Sequence, residues 1–338
     1  MFERITIDCI AQIILVYSQE VSMFTSDNFF CSNQSLLVNE NLIGTALLTE
    51  VYIFIEHKKP WANEAFESKK IPQNLRLIID KYHTFARFLL ICNKNTKQKK
   101  SVKILFYVRS NQENLSNGFT LYEAECSNYE HICETLENYF IHQKLPSKDC
   151  SAKSRNILIC THGGFDKCCV NYGTPFYIKS NQILDNINVN EKIEVWESSH
   201  FGGHRFAPTM IDFPDGRYYG RMNEDIFTAI INRTGDLNKT ISSYRGWAIL
   251  PKIAQVVEKQ LLLDIGWSWF NASAASHVKP LEDGVSYNVT IRYLLAHDER
   301  LCSARVSKSS EFLNIKIRCQ NQVESVVPQF SIDSFEYL

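Results

Sequence analysis

Two short stretches hold residue types that bind soft or borderline metals. They are Cys160-Thr-His-Gly-Gly-Phe-Asp-Lys-Cys168-Cys169 and, roughly thirty residues later, His200-Phe-Gly-Gly-His204-Arg-Phe-Ala-Pro-Thr209. Thiolate plus imidazole suits zinc or iron–sulfur chemistry, not magnesium or calcium, which take oxygen ligands. Gly163 and Gly164 let backbone N–H groups approach a sulfur closely. Gly202 and Gly203 disfavour helix, so His200 and His204 are expected as loop ligands, unlike the helical pair of zinc proteases.

Packing is the competing reading. A free cysteine usually just fills a core. On that reading Cys92, Cys126, Cys133, Cys150, Cys302 and Cys319 pack, and His57, His83, His131, His142, His277 and His297 are hydrogen-bonded core or surface residues. In the two motifs packing would require several separate coincidences, though spacing alone leaves it open beside metal binding. Cys160-Thr-His162 looks like half of a Rieske box whose second half is missing. Cys168-Cys169 offers a redox pair without the two-residue spacer of thioredoxin motifs.

The elements around these motifs set their geometry. Asn156–Ile159 reads as a strand that ends at Cys160, where open α/β sheets place sites. A helix over about Val170–Ser180, broken by Gly173 and Pro175, follows the first motif. Its start lies near Cys169, where a helix N-terminus lowers a thiol pKa. Lys192–Glu197 is a strand delivering the second motif. Met210–Phe213, Pro214-Asp-Gly216 and Arg217–Arg221 form a strand–turn–strand. Asp225–Arg233 is helical. This β-α-β-β-β-α order is compatible with a thioredoxin-like layout. Pro251–Trp267 is a long amphipathic helix, and residues 285–320 alternate as several short strands. Upstream, Glu50–Glu56, Phe88–Cys92 and Val102–Val108 read as strands, and Tyr129–His142 as a helix. Pro60–Ser68 reads as a helix opened by proline. No repeat is visible.

The chain has 338 residues, 45% of them apolar, and a net charge of −1. That length predicts more than one domain. The balanced charge suggests neither a nucleic-acid surface nor a membrane anchor. Lys97-Gln-Lys99-Lys100 is a small basic cluster, read as a solvated loop. The eleven cysteines are scattered and the start is acidic, without a clean apolar run, so no secretory signal is read. A reducing, cytoplasmic setting follows, and a disulfide framework does not. The expected division is an N-terminal extension (1–22, with Met23 as a candidate start), an N-terminal α/β region (23–149), a cluster-bearing α/β domain (150–275) and a small C-terminal β segment (276–338). Pro146–Lys153 is the candidate linker.

At these residues the chain resembles the sucrase/ferredoxin-like family, whose cluster-bearing part is a thioredoxin-like [2Fe–2S] ferredoxin. The family's Cys-x-His-Gly…Asp…Cys segment corresponds to Cys160, His162, Gly163, Asp166 and Cys169. Its His-x-Gly-Gly-His corresponds to His200, Gly202, Gly203 and His204. Arg205–Thr209, Gly216–Gly220 and Tyr244-Arg-Gly246 also fit, as do Phe30-Cys31-Ser32, Leu42–Ala46 and Pro60-Trp61. The likeness covers roughly residues 28–270 and leaves the C-terminal β segment unexplained. It implies that Cys160, Cys169, His200 and His204 ligate a [2Fe–2S] cluster. One departure is Cys168, where eukaryotic-type members carry a basic residue; Cys169 is preferred as ligand because its spacing from Cys160 matches the family. The implied role is soluble one-electron transfer between redox donor and acceptor proteins. Two neutral imidazoles raise the potential above that of an all-cysteine site. The alternatives are a structural zinc protein using the same four ligands, and a thiol oxidoreductase. The family name suggests sucrose cleavage, but no convincing carboxylate pair supports a glycosidase.

Overall fold

Val51–Glu56 (β1) is buried along its whole length, as a central strand covered on both faces must be. In the computed structural model, which describes residues 29–96, 101–146, 154–187, 191–320 and 324–338, it sits inside a large mixed sheet. The helix Gln73–Tyr82 (α2) carries the chain from β1 across to its parallel neighbour Arg87–Cys92 (β2). Val102–Arg109 (β3) and Phe119–Cys126 (β4) then extend the other side of β1 as antiparallel strands. Tyr129–His142 (α3) closes the unit, with the Asn128 side chain accepting the His131 N–H at its start.

The same connectivity follows a second time. Ser154–Cys160 (β5) crosses through helix Lys167–Asn186 (α4) to the parallel strand Lys192–Ser198 (β6). Met210–Phe213 (β7) and Arg217–Tyr219 (β8) extend the other side of β5, and Glu224–Asn232 (α5) follows. The expected β-α-β-β-β-α order is therefore present, and present twice. The two units join edge to edge where β2 pairs antiparallel with β6, Ile91 opposite Ser198. Leu237–Ile241 (α6) leads to Tyr244–Trp247 (β9), which completes a sheet of order β4-β3-β1-β2-β6-β5-β7-β8-β9 among the described residues.

Lys252–Ile265 (α7) packs the C-terminal sheet onto this body. That sheet is antiparallel: Ser273–Pro280 (β10), Ser286–Leu295 (β11), Asp298–Lys316 (β12) and Glu324–Tyr337 (β13). Val289, Ile291 and Tyr293 of β11 point into the main core on a period of two, while Asn288 is exposed. The strands are long rather than short as expected, because each is paired along most of its length. The fold is α/β, and among the described residues neither sheet closes into a barrel.

Two local expectations fail. Pro60–Ser68 does not open a helix; only a single 3-10 turn forms, Ala65–Glu67. The Ser68 hydroxyl donates to the Ala65 carbonyl (2.6 Å) and accepts the Ala62 N–H (2.9 Å), which gives the backbone an alternative to a helical ladder. Conversely, Gly173 and Pro175 do not break α4. A Cβ at Gly173 would lie 2.0 Å from the Cys160 carbonyl oxygen, so the glycine serves the close approach of helix to strand. The expected 1–22 extension, the basic cluster from Lys97, Cys150 and most of the linker lie outside the described residues.

A buried polar network anchors the second unit. Glu258 accepts from Arg217 (2.9 Å), the Tyr244 hydroxyl (2.7 Å), the Trp269 indole (3.2 Å) and the Trp247 N–H (3.2 Å). Arg217 and Glu258 are both fully buried. Glu258→Ala strands the guanidinium and is expected to cost about 3–5 kcal/mol of stability. Urea unfolding would show this as a lower midpoint at unchanged slope. A loss below about 1 kcal/mol would mean that Asp215, 3.8 Å from the Arg217 Nε, takes over the charge.

Candidate metal centre

β5 and β6 run parallel and end side by side, with Cys160 opposite Ser198. The two motifs therefore leave the sheet together, at the carboxyl ends of adjacent strands. Asp166 caps α4, its Oδ1 accepting the Cys168 N–H at 2.8 Å. That cap fixes the first turn so that the adjacent Cys168 and Cys169 enter two different groups.

In the first group Cys160 Sγ and Cys169 Sγ each lie 3.7 Å from His200 Nδ1. These three donor atoms all lie within 4.8 Å of one another. His204 is adjacent: its Nδ1 is 3.4 Å from His200 Nε2, and it is not part of the three-atom group. Its Nε2 lies 2.6 Å from the Ile317 carbonyl, which places a proton on Nε2 and leaves Nδ1 with a lone pair. His200 stands on the loop as expected, whereas His204 opens a short 3-10 turn, His204–Phe206.

The surroundings hold both imidazoles. Phe165 stacks on His200 at 3.9 Å between centroids. His162 Nε2 meets the Ala62 carbonyl at 2.7 Å and its Nδ1 accepts the His200 N–H at 3.2 Å. His162 thus has both nitrogens engaged and positions the His200 backbone. Arg87 donates to the His200 carbonyl and Arg245 to that of Gly202. A Cβ at Gly203 would lie 2.6 Å from the Arg245 guanidinium, and its φ of +82° also demands glycine. Arg205 pairs with the buried Glu40, tying the second motif to the N-terminal segment.

Burial pushes His200 well below the ordinary imidazole range and lowers His204 as well. Both shifts favour the neutral imidazole, the form that ligates a metal. The hydrogen bond with Cys160, and then burial, push the Cys169 thiol well up. Buried soft and borderline donors with this convergence fit a metal centre, zinc or iron.

The second group joins Cys168 to Cys31, on helix Cys31–Leu37 (α1), to Cys319, three residues past β12, and to Asp166. Sequence reading set Cys319 aside as a packing residue and gave Cys31 no role as a ligand. No local spacing marks them, since they stand 288 residues apart. Both groups can hold a metal ion. The other histidines and the remaining described cysteines lie outside both.

Residues 42–246 match the sucrase/ferredoxin-like family. A 95-residue stretch is 28% identical to altered inheritance of mitochondria protein 32 of Meyerozyma guilliermondii, over 27% of this chain and 34% of that protein. The match thus spans about a third of that relative's length. No solved structure matches.

Proposed function

The chain belongs to the sucrase/ferredoxin-like family, and on that premise we propose that it is a one-electron transfer protein whose Cys160, Cys169, His200 and His204 hold a [2Fe–2S] cluster. The observation that carries this reading is the meeting of two thiols from the first motif with an imidazole from the second, both sulfurs at 3.7 Å from His200 Nδ1. When bound, such a cluster accepts and returns single electrons. The residues supply the rest. Cys160 and Cys169 offer anionic sulfur from the strand end and the helix start. His200 and His204 offer neutral nitrogen from the opposite loop, with the Ile317 carbonyl fixing the tautomer of His204. Burial excludes water from the thiols. In this reading the β-α-β-β-β-α unit that carries both motifs serves as a thioredoxin-like scaffold, which its strand order supports.

His200 also lines a surface groove of about 550 Å³, with Glu64, Arg76, Asp80, Arg87 and Phe165 around it. In this reading the redox donor and acceptor proteins would dock over this groove, because it brings a proposed ligand to the surface. Nucleic acid and membrane are not partners in this reading. Among the described residues no helix is long and apolar enough to cross a membrane. The described cysteines are free thiols, which suits a reducing compartment such as the cytoplasm.

The spectrum of purified protein tests the proposal. A reddish protein with iron and sulfide in equal amounts is expected. Colourless protein with stoichiometric zinc on these residues would replace it with a structural zinc role. Reactive thiols with neither metal would point to thiol oxidoreduction.

A further inference from the structure

We infer that the chain carries a second metal site, a zinc centre built by the thiolates of Cys31, Cys168 and Cys319 with the carboxylate of Asp166 as fourth ligand. It shares no ligand with the proposed cluster and does not depend on it, although Asp166 Oδ2 lies 3.8 Å from His204 Nε2. The three sulfurs form a nearly regular triangle: Cys31 to Cys168 is 3.5 Å, Cys168 to Cys319 is 3.2 Å, and Cys31 to Cys319 is 3.6 Å. A tetrahedral zinc with bonds of about 2.3 Å to sulfur has sulfur–sulfur edges of about 3.8 Å. The observed edges are a few tenths of an ångström shorter, within reach of side-chain rotation alone. A disulfide sulfur pair sits at about 2.05 Å, and one disulfide would leave the third thiol unused. The Asp166 carboxylate supplies the fourth corner: all four donor atoms lie within 4.8 Å of one another.

Polar groups face two of the three sulfurs. The Cys31 N–H reaches Cys319 Sγ at 3.4 Å, and the Ser32 hydroxyl lies 3.3 Å from Cys168 Sγ. Asp166 is oriented from both sides, by the Cys168 N–H on Oδ1 and the Cys319 N–H on Oδ2 (3.0 Å). Three thiolates and a carboxylate select zinc over magnesium or calcium. On binding, each thiol releases its proton and no electron moves, so the step needs no oxidant.

The site would add a metal cross-link to elements that hydrogen bonds already bring together, Lys316 N–H to the Gln34 side chain (2.8 Å) and the Tyr172 hydroxyl to the Asn33 side chain (2.9 Å). It ties α1, the start of α4 and the segment after β12 at one point. Ile317, whose carbonyl engages His204, lies two residues before Cys319. A zinc here therefore cross-links three chain segments beside the first centre, while the C-terminal sheet itself is held by the main core.

Full-length protein should be purified without oxidants, and its zinc, iron and thiols measured. One zinc per chain is expected, retained in Cys160→Ser and lost in both Cys31→Ser and Cys319→Ser, while those two keep the visible absorption. Should the variants unfold, wild-type protein still decides. Zinc should protect Cys31, Cys168 and Cys319 from alkylation until a chelator is added, and cobalt in its place should give the intense visible bands of tetrahedral thiolate ligation. Equal alkylation with and without zinc would overturn the site. So would zinc that follows Cys160 rather than Cys31 and Cys319, or a disulfide between two of the three thiols.

Discussion

Replacing Cys160 or Cys169 with serine is expected to bleach the protein and remove its iron, while Cys168→Ser leaves both in place. The adjacent cysteines diverge because Asp166 caps α4 and turns its first residues to different sides: Cys169 Sγ lies 3.7 Å from His200 Nδ1, whereas Cys168 Sγ lies 3.2 Å from Cys319 Sγ. A serine hydroxyl is a poor substitute for thiolate on a soft centre. The effect at Cys160 and Cys169 should therefore be near-complete loss of the visible spectrum in protein that keeps its far-ultraviolet circular dichroism. The reverse outcome, iron lost from Cys168→Ser and kept in Cys169→Ser, would move the ligand by one residue and remove the basis for two separate groups.

What the sequence made legible was local. The strand that ends at Cys160, the strand before His200 and helix Tyr129–His142 follow from apolar patterning, and each is present. Both motifs of the first centre were also legible, because each is compact and chemically unusual. Distance along the chain hid the rest. Cys31 and Cys319 meet Cys168 only once α1 and β12 have packed, and no spacing rule spans such separations. The twofold recurrence of β-α-β-β-β-α was hidden for a different reason. It lives in strand order and in the β2–β6 pairing, which constrain burial and connectivity but not residue identity. The misjudged helices also have a physical cause. At Ser68 a side-chain hydroxyl outcompeted a helical ladder, while at Gly173 packing against Cys160 overrode intrinsic propensity.

The largest electronic effect is expected at the histidines. If His200 and His204 ligate one iron, each change to cysteine replaces a neutral donor with an anion, so the reduced state carries one more negative charge and the potential falls. Two-histidine and all-cysteine centres differ by roughly hundreds of millivolts, and the double variant should move by that order. His204→Cys also removes the ring held on the Ile317 carbonyl, and with it an exchangeable proton near the iron. The oxidised centre favours the deprotonated imidazole, so the wild-type potential should fall as pH rises, and this slope should flatten in the variants. Histidines that merely flank the cluster predict the opposite pattern, with near-constant potentials and unaltered spectra. His204 makes the comparison sharp, because its Nδ1 lies 3.4 Å from His200 Nε2 and outside the three-atom group of Cys160, Cys169 and His200. Redox titration of cluster-loaded His200→Cys and His204→Cys across pH separates the two cases: if only His200→Cys shifts, His204 is a neighbour that orients the ligand, and if neither shifts, the two-histidine ligation is wrong.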